Sequence, residues 1–233
     1  MSNSIAEAIA AKNEVIAAQG TSLDTVLTAL EGKAAGSGTD YFKQRLAGTM
    51  TEYSDNESEL IGEDAFGHQR QLTTVNMPKV KNIAPKAFYD CSKLTAISFP
   101  ALVSVGYNTF RNCSSLTEFI SPATFNSRLD NSTFEGCSAL LKADFRHINS
   151  FGISGYSLAC TNLVTLIIRN TDFVPSVAAT AFGAATTMMN KGEGYIYVPQ
   201  SMVEAYKADT GWSKFAGQIR AIEDYPNITG GAE

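Results

Sequence analysis

Apolar and polar positions follow two different rhythms along this chain. Between Ser4 and Gln19 the apolar residues Ile5, Ala8, Ile9 and Ile16 fall on a narrow stripe of a helix. Ser4 with Glu7 forms a capping box, and Gly20 is a stop signal. A second short helix starts at Ser22, with Leu23, Val26, Leu27 and Leu30 on one face. Gly32 and Gly36-Ser37-Gly38 then read as a linker. Further on the rhythm changes to alternation. In Leu94-Thr95-Ala96-Ile97-Ser98-Phe99, the side chains of Leu94, Ile97 and Phe99 are expected to point inward while Ala96 and Ser98 face water. Pro78, Pro100 and Pro122 close such segments, because a missing N–H ends a strand ladder.

The alternating segments belong to a repeat. IGEDAFGHQRQLTTVNMP starts at Ile61, IAPKAFYDCSKLTAISFP at Ile83, VGYNTFRNCSSLTEFISP at Val105, LDNSTFEGCSALLKADF at Leu129 and ISGYSLACTNLVTLIIR at Ile153. An anchor aromatic recurs at Phe66, Phe88, Phe110 and Phe134, with Leu158 in its place in the fifth copy, at steps of 22, 22, 24 and 24. Cysteine follows at Cys91, Cys113, Cys137 and Cys160, and leucine at Leu72, Leu94, Leu116, Leu140 and Leu163. Such a unit cannot bury its own apolar side, so stability must come from stacking on neighbours.

The period lies in the leucine-rich-repeat range of about 20–29 residues. The pattern I-x-x-x-A-F-x-x-C-x-x-L-x-x-I-x-x-P resembles the BspA-like leucine-rich repeat of bacterial surface antigens and phage proteins. Ile83, Ala87, Phe88, Cys91, Leu94, Ile97 and Pro100 carry the likeness best, which extends over residues 58–200. It implies an α+β chain built on a leucine-rich-repeat β-solenoid of short parallel strands, turns and short helices. A helical module would precede the solenoid and a strand–helix cap would close it. Five segments are expected: an attachment or oligomerisation module with linker (1–38), a connector (39–57), the repeats (58–194), a C-terminal cap (195–225) and a flexible tail (226–233). The cap reading rests on Tyr195-Ile-Tyr-Val-Pro199, a capping box of Ser201 and Glu204 opening a helix over Met202–Ala208, and a cover of Trp212, Phe215 and Ile219.

Composition then removes whole classes of function. With a net charge of −5 and a pI near 5.1, the chain has no basic face for a nucleic-acid backbone. No apolar run is long enough to span a bilayer. The first basic residue is Lys12, and Glu7 and Lys12 break the apolar run, so no export signal is read. The helical opening is similar to N-terminal modules on tail and fibre proteins of phages of Gram-positive hosts. Together these lead to the expectation of a virion protein assembled in the host cytoplasm, attached to other virion proteins through Ile5, Ile9, Ile16, Leu23, Val26, Leu27 and Leu30, and forming a homo-oligomer.

No catalytic, cofactor or metal site is read. The cysteines occur singly, once per copy, as buried space-fillers rather than the close pairs that metal sites use. His68 and His147 lie in different copies without a nucleophile at a recognisable spacing. The resemblance implies binding and adhesion, and brings no catalytic residues with it. The candidate binding face is the outward side of the strands: Thr74, Asn76, Ala96, Ser98, Glu118, Ile120, Lys142, Asp144, Thr165, Ile167 and Arg169. Its partner is expected to be a host surface protein or glycan, or a neighbouring virion subunit. Tyr89, Tyr107 and Tyr156, near the bends, form a second patch. Two alternatives stand beside this reading: a bacterial BspA-like adhesin, and a polysaccharide-active enzyme using acids on the exposed face.

Overall fold

The structure is a computed structural model and describes residues 48–152 and 155–229. The N-terminal module, its attachment residues and its linker lie outside the described residues, as does Ile153.

Each coil contributes two short strands. In chain order the pairs are β1 (Glu52–Ser54) and β2 (Leu60–Ile61), β3 (Thr74–Asn76) and β4 (Asn82–Ile83), β5 (Ala96–Ser98) and β6 (Ser104–Val105), β7 (Glu118–Ile120) and β8 (Ser127–Leu129), β9 (Lys142–Phe145) and β10 (Ile148–Phe151), and β11 (Thr165–Ile168) and β12 (Ser176–Val177). β13 (Tyr195–Val198) and β14 (Ile219–Ala221) follow. The odd-numbered strands up to β5 form one parallel sheet, and β7, β9, β11, β13 and β14 another. The remaining strands make two three-stranded parallel sheets on a second flank. Register follows the sequence repeat: Glu52 pairs with Thr74, Thr74 with Ala96, Glu118 with Lys142, and Lys142 with Thr165. β1 therefore adds a rung inside the segment read as a connector.

A third set of cross-coil bonds runs along the turns. The N–H of Phe66 donates to Ala87 O at 2.7 Å, that of Phe88 to Thr109 O at 2.9 Å, that of Phe110 to Thr133 O at 2.9 Å, and that of Phe134 to Ser157 O at 3.0 Å. The turns need two left-handed residues per coil. Asp64, Lys86, Asn108 and Ser132 fill one column and His68, Asp90, Asn112 and Gly136 the other, with φ between 55° and 77°. Asn, Asp and Gly reach this region at the least cost, and they supply five of the eight positions.

The core is a column. Phe66, Phe88, Phe110 and Phe134 stack with ring centroids 5.1, 5.4 and 5.3 Å apart. Leu158 and then Phe182 are buried at the positions that follow. Phe182 belongs to a sixth copy: Val177, Ala181 and Phe182 repeat the opening of the unit, no cysteine follows, and Met189 is the next residue buried in the core. The cysteines form a second column. Cys91, Cys113, Cys137 and Cys160 are free and buried, and each thiol donates to the anchor carbonyl of the preceding coil, Phe66 O, Phe88 O, Phe110 O and Phe134 O, at 2.9–3.2 Å. The residue thus combines a small buried side chain with a donor that satisfies a buried acceptor. Burial pushes the thiols of Cys113 and Cys160 well above their ordinary range. Native protein is therefore expected to leave all four thiols unreacted with 5,5′-dithiobis(2-nitrobenzoate) at pH 8, with four released on denaturation. Rapid native reaction would contradict this packing.

The C-terminal segment differs in detail from the expectation. α1 (Met188–Lys191) precedes β13, and α2 (Val203–Ala208) follows it after a 3₁₀ turn over Gln200–Met202. That turn takes Ser201 away from the N-cap place, so the Ser201–Glu204 capping box does not form; Glu204 instead accepts from Lys207 at 2.9 Å. Trp212 is buried edge-on against Phe151 at 5.6 Å, and its indole N–H donates to Pro175 O at 2.7 Å. Residues 226–229, read as the start of a flexible tail, form a helical turn, α3 (Pro226–Thr229).

Candidate binding surface

The strand face predicted to point outward is open over one part and covered over another. Asn76, Ala96, Ser98, Glu118 and Ile120 are exposed and Thr74 is half-buried, with Glu52 and Ser54 of β1 extending the same rows. Ile120 is 51% exposed, an unusual place for a large aliphatic side chain on a polar sheet. The rows part here, since β5 and β7 belong to different sheets. A cavity of about 470 Å³ lies at that parting, lined by Ser98, Pro100, Ile120, Pro122 and Arg146 among others.

Beyond β9 the expectation fails. Asp144 and Ile167, both assigned to the exposed face, are buried at 3% and 0% exposure, and Arg169 shows only a tenth of its side chain. For Ile167 the cause is the segment that follows β14. After β14 the residues from Ile222 to Thr229 turn back across the sheet. Ile222 packs on Ile167 and Tyr197, Tyr225 meets the Tyr197 ring at 5.4 Å, and Ile228 O accepts from Lys142 Nζ at 3.3 Å. Asp144, in register with Ile167, is clamped by Arg169 through Nε at 2.9 Å and Nη2 at 2.8 Å, a bidentate pair suited to a site with little water. Lys142 and Thr165 are half-buried at its margin. Of the carboxylates on this face, Asp144 is committed to Arg169, while Glu52 and Glu118 are exposed.

The bends carry charge in cross-coil pairs. Lys79 meets Glu57 and Lys81 meets Glu59, both at 2.9 Å and both one repeat apart. Such exposed pairs are screened by solvent and add little to stability. Asp90 accepts from Arg70 Nε at 2.9 Å and faces His68 Nδ1 at 3.2 Å, and these hydrogen bonds hold its carboxyl below the usual range despite the opposing effect of burial. His147 lies against Phe173, so the structure does not bring the two histidines together. Of the tyrosine patch, Tyr107 and Tyr156 are exposed while Tyr89 is half-buried against His68. Among the described residues no cluster of His, Cys, Asp and Glu is arranged to hold a metal ion, and no helix is long and apolar enough to cross a membrane.

Parallel two-strand coils stacked on Phe, Cys and Leu columns define a leucine-rich-repeat solenoid. The sequence matches the BspA type leucine-rich repeat region in six copies over residues 59–187, more than half of the chain. The chain belongs to that family. Among solved structures it is similar to the pneumococcal vaccine antigen PcpA, at 15% identity and a TM-score of 0.46, covering 74% of this chain and 40% of that one. It is also similar to a leucine-rich repeat protein of T. pallidum, at 18% identity and a TM-score of 0.35 over 62% of this chain and 77% of that one. A leucine-rich cell surface protein of Faecalibacterium prausnitzii gives 12% identity and a TM-score of 0.33, over 77% and 61% of the respective chains. No curated protein matches the sequence.

Proposed function

We propose that this chain is a non-enzymatic binding protein that engages a macromolecular partner through the open part of its strand face, from β1 to β7. The observation that supports it is the contrast along the strand face. The chain's own end covers the rows from β9 to β13, whereas the rows carrying Asn76, Ser98, Glu118 and Ile120 stay exposed around a cavity. A mixed polar surface with one central aliphatic anchor suits a protein or glycan partner. In this reading the N-terminal helices attach the protein to other virion proteins and bring copies together, and the solenoid faces the host surface or a neighbouring subunit. The chain would be assembled in the host cytoplasm and carried on the particle. Membership of a repeat family known from bacterial surface antigens favours a second reading, a bacterial surface adhesin using the same face.

Mass spectrometry of purified particles separates the two readings: presence in stoichiometric amount supports the virion, and absence leaves the adhesin. Size measurement of the full chain against one lacking residues 1–38 tests attachment, with an oligomer expected for the first and a monomer for the second. Equal masses would overturn the oligomerisation role. Ile120→Glu is expected to weaken binding of labelled protein to host cells at least about tenfold while stability stays within about 0.5 kcal/mol. Unchanged binding would remove the strand face from the account.

A further inference from the structure

We infer that the parting between β5 and β7 is a slot for one extended polypeptide segment of a partner, which enters as an added strand and completes the sheet. The inference rests on the strand-face reading above and names the chemistry of its partner. Elsewhere along this face successive rungs are joined by parallel ladders, but no hydrogen bond crosses from β5 to β7. Of their repeat-equivalent pairs (Ala96 with Glu118, Ile97 with Phe119, Ser98 with Ile120) at least one is more than 8 Å apart between Cα atoms. Paired strands stand about 4.8 Å apart, so one inserted strand needs about 9.6 Å. The same two coils stay bonded on their other sides, by Phe88 N–H to Thr109 O at 2.9 Å and Asn126 N–H to Val103 O at 3.0 Å. The opening is therefore a wedge confined to the strand face. The sequence accounts for it. Val80, Leu102 and Phe125 close the same corner turn in successive coils, and there the fourth coil has one more residue and a larger side chain than the third.

The backbone groups on either side specify the occupant. Ala96 and Ser98 direct their N–H and C=O groups to β3, so those of Ile97 turn towards β7. Phe119 directs its own to β9, so those of Glu118 and Ile120 turn towards β5. Donors and acceptors thus alternate along both walls at strand spacing, and another main chain supplies the matching alternation to both at once. An apolar floor lies between the walls. Ile97 is half-buried, whereas Val75 and Phe119 at the equivalent inward positions are each 2% exposed. With Phe99, Pro100, Ile120 and Pro122 it lines the cavity of about 470 Å³. Charge narrows the partner further. Glu118 is exposed and, among the described residues, joins no ion pair; Lys142, opposite it on β9, reaches Ile228 O at 3.3 Å instead. Arg146 lines the other end of the cavity, its backbone N–H bonded to Ser121 Oγ. A strand laid parallel to its neighbours therefore carries a basic residue beside Glu118, an aliphatic one beside Ile120 and an acid at the Arg146 end.

Titration of the full chain with the end-blocked peptide TVKVITE, followed by amide NMR and hydrogen exchange, tests the assignment. In the free protein the amides of Ile97, Glu118 and Ile120 are expected to exchange at least about 100-fold faster than those of Val75 and Phe119, which lie in ladders. Saturable binding with a Kd on the order of 0.1 mM is expected to protect all three. The same peptide with its two valine amides N-methylated loses main-chain donors and is expected to bind at least about tenfold more weakly. Glu118→Lys, at an exposed position, is expected to weaken binding of TVKVITE about fivefold with the melting temperature unchanged. The assignment is overturned by protection of the three amides in the free protein equal to that of Val75, by no saturable binding, or by equal affinity of the N-methylated peptide or of Glu118→Lys. Protection that appears only along β1, or that cellohexaose confers in place of the peptide, overturns it as well. Loss of host-cell binding in Ile120→Glu together with no peptide binding would overturn the slot alone and leave the strand face as the binding surface.

Discussion

Phe110→Ala is expected to destabilise the protein by about 3–5 kcal/mol, lowering the denaturant midpoint in proportion. Phe110 is fully buried at the middle of the aromatic column, with Phe88 at 5.4 Å, Phe134 at 5.3 Å and Phe119 at 6.0 Å. Its removal deletes two stacked contacts and leaves a cavity that the backbone cannot close, because the N–H of Phe110 is bonded to Thr133 O of the next coil. A solenoid's coils are coupled mainly to their nearest neighbours, so a gap at the centre also weakens the link between its two halves. Phe110→Leu is the control. The chain itself places Leu158 at the equivalent buried position, so leucine is expected to cost less than half as much. A loss below about 1 kcal/mol for the alanine variant would mean that the column does not carry the fold.

Arg169→Met is expected to cost about 3–5 kcal/mol, and the double variant Arg169→Met/Asp144→Leu to recover most of that loss. The reason is asymmetric. The two groups satisfy each other through a bidentate contact, with side-chain exposures of 10% for Arg169 and 4% for Asp144. Removing the guanidinium leaves a carboxylate that is 3% exposed without the partner that satisfies both of its oxygens. Removing both charges leaves an apolar pair beside Ile167 and Tyr197, which suits that layer. Equilibrium unfolding of the two single variants and the double variant measures the coupling. Additive losses would show that the two charges are solvated independently and that the bidentate contact does not hold them.

The solenoid was legible in the sequence because its unit is encoded redundantly. Phe88, Cys91 and Leu94 each mark the same register, and the alternation from Leu94 to Phe99 gives the strand. What escaped was encoded once, or in several residue types. The strands on the second flank up to β6 are two residues long, too short for alternation to show. The left-handed turn positions are filled by Asp, Lys, Asn, Ser, His and Gly, so no single letter reveals them. The covered half of the binding face depends on the contact of Lys142 with Ile228, 86 residues away, which no local pattern contains. A Pro- and Gly-rich end such as Pro226-Asn-Ile-Thr-Gly-Gly231 reads as frayed by composition, yet the preceding Ile222 and Tyr225 pack on the sheet and the carbonyl of Ile228 accepts from Lys142.

Nuclear Overhauser contacts between phenylalanine rings in a selectively labelled sample test the stacked column most directly. Ring-to-ring contacts are expected for Phe66 with Phe88, Phe88 with Phe110 and Phe110 with Phe134, at centroid separations of 5.1, 5.4 and 5.3 Å, and none between Phe66 and Phe134. Absence of the three sequential contacts in folded protein would contradict the stacking of successive coils on a shared core, and with it the surfaces assigned to the outside.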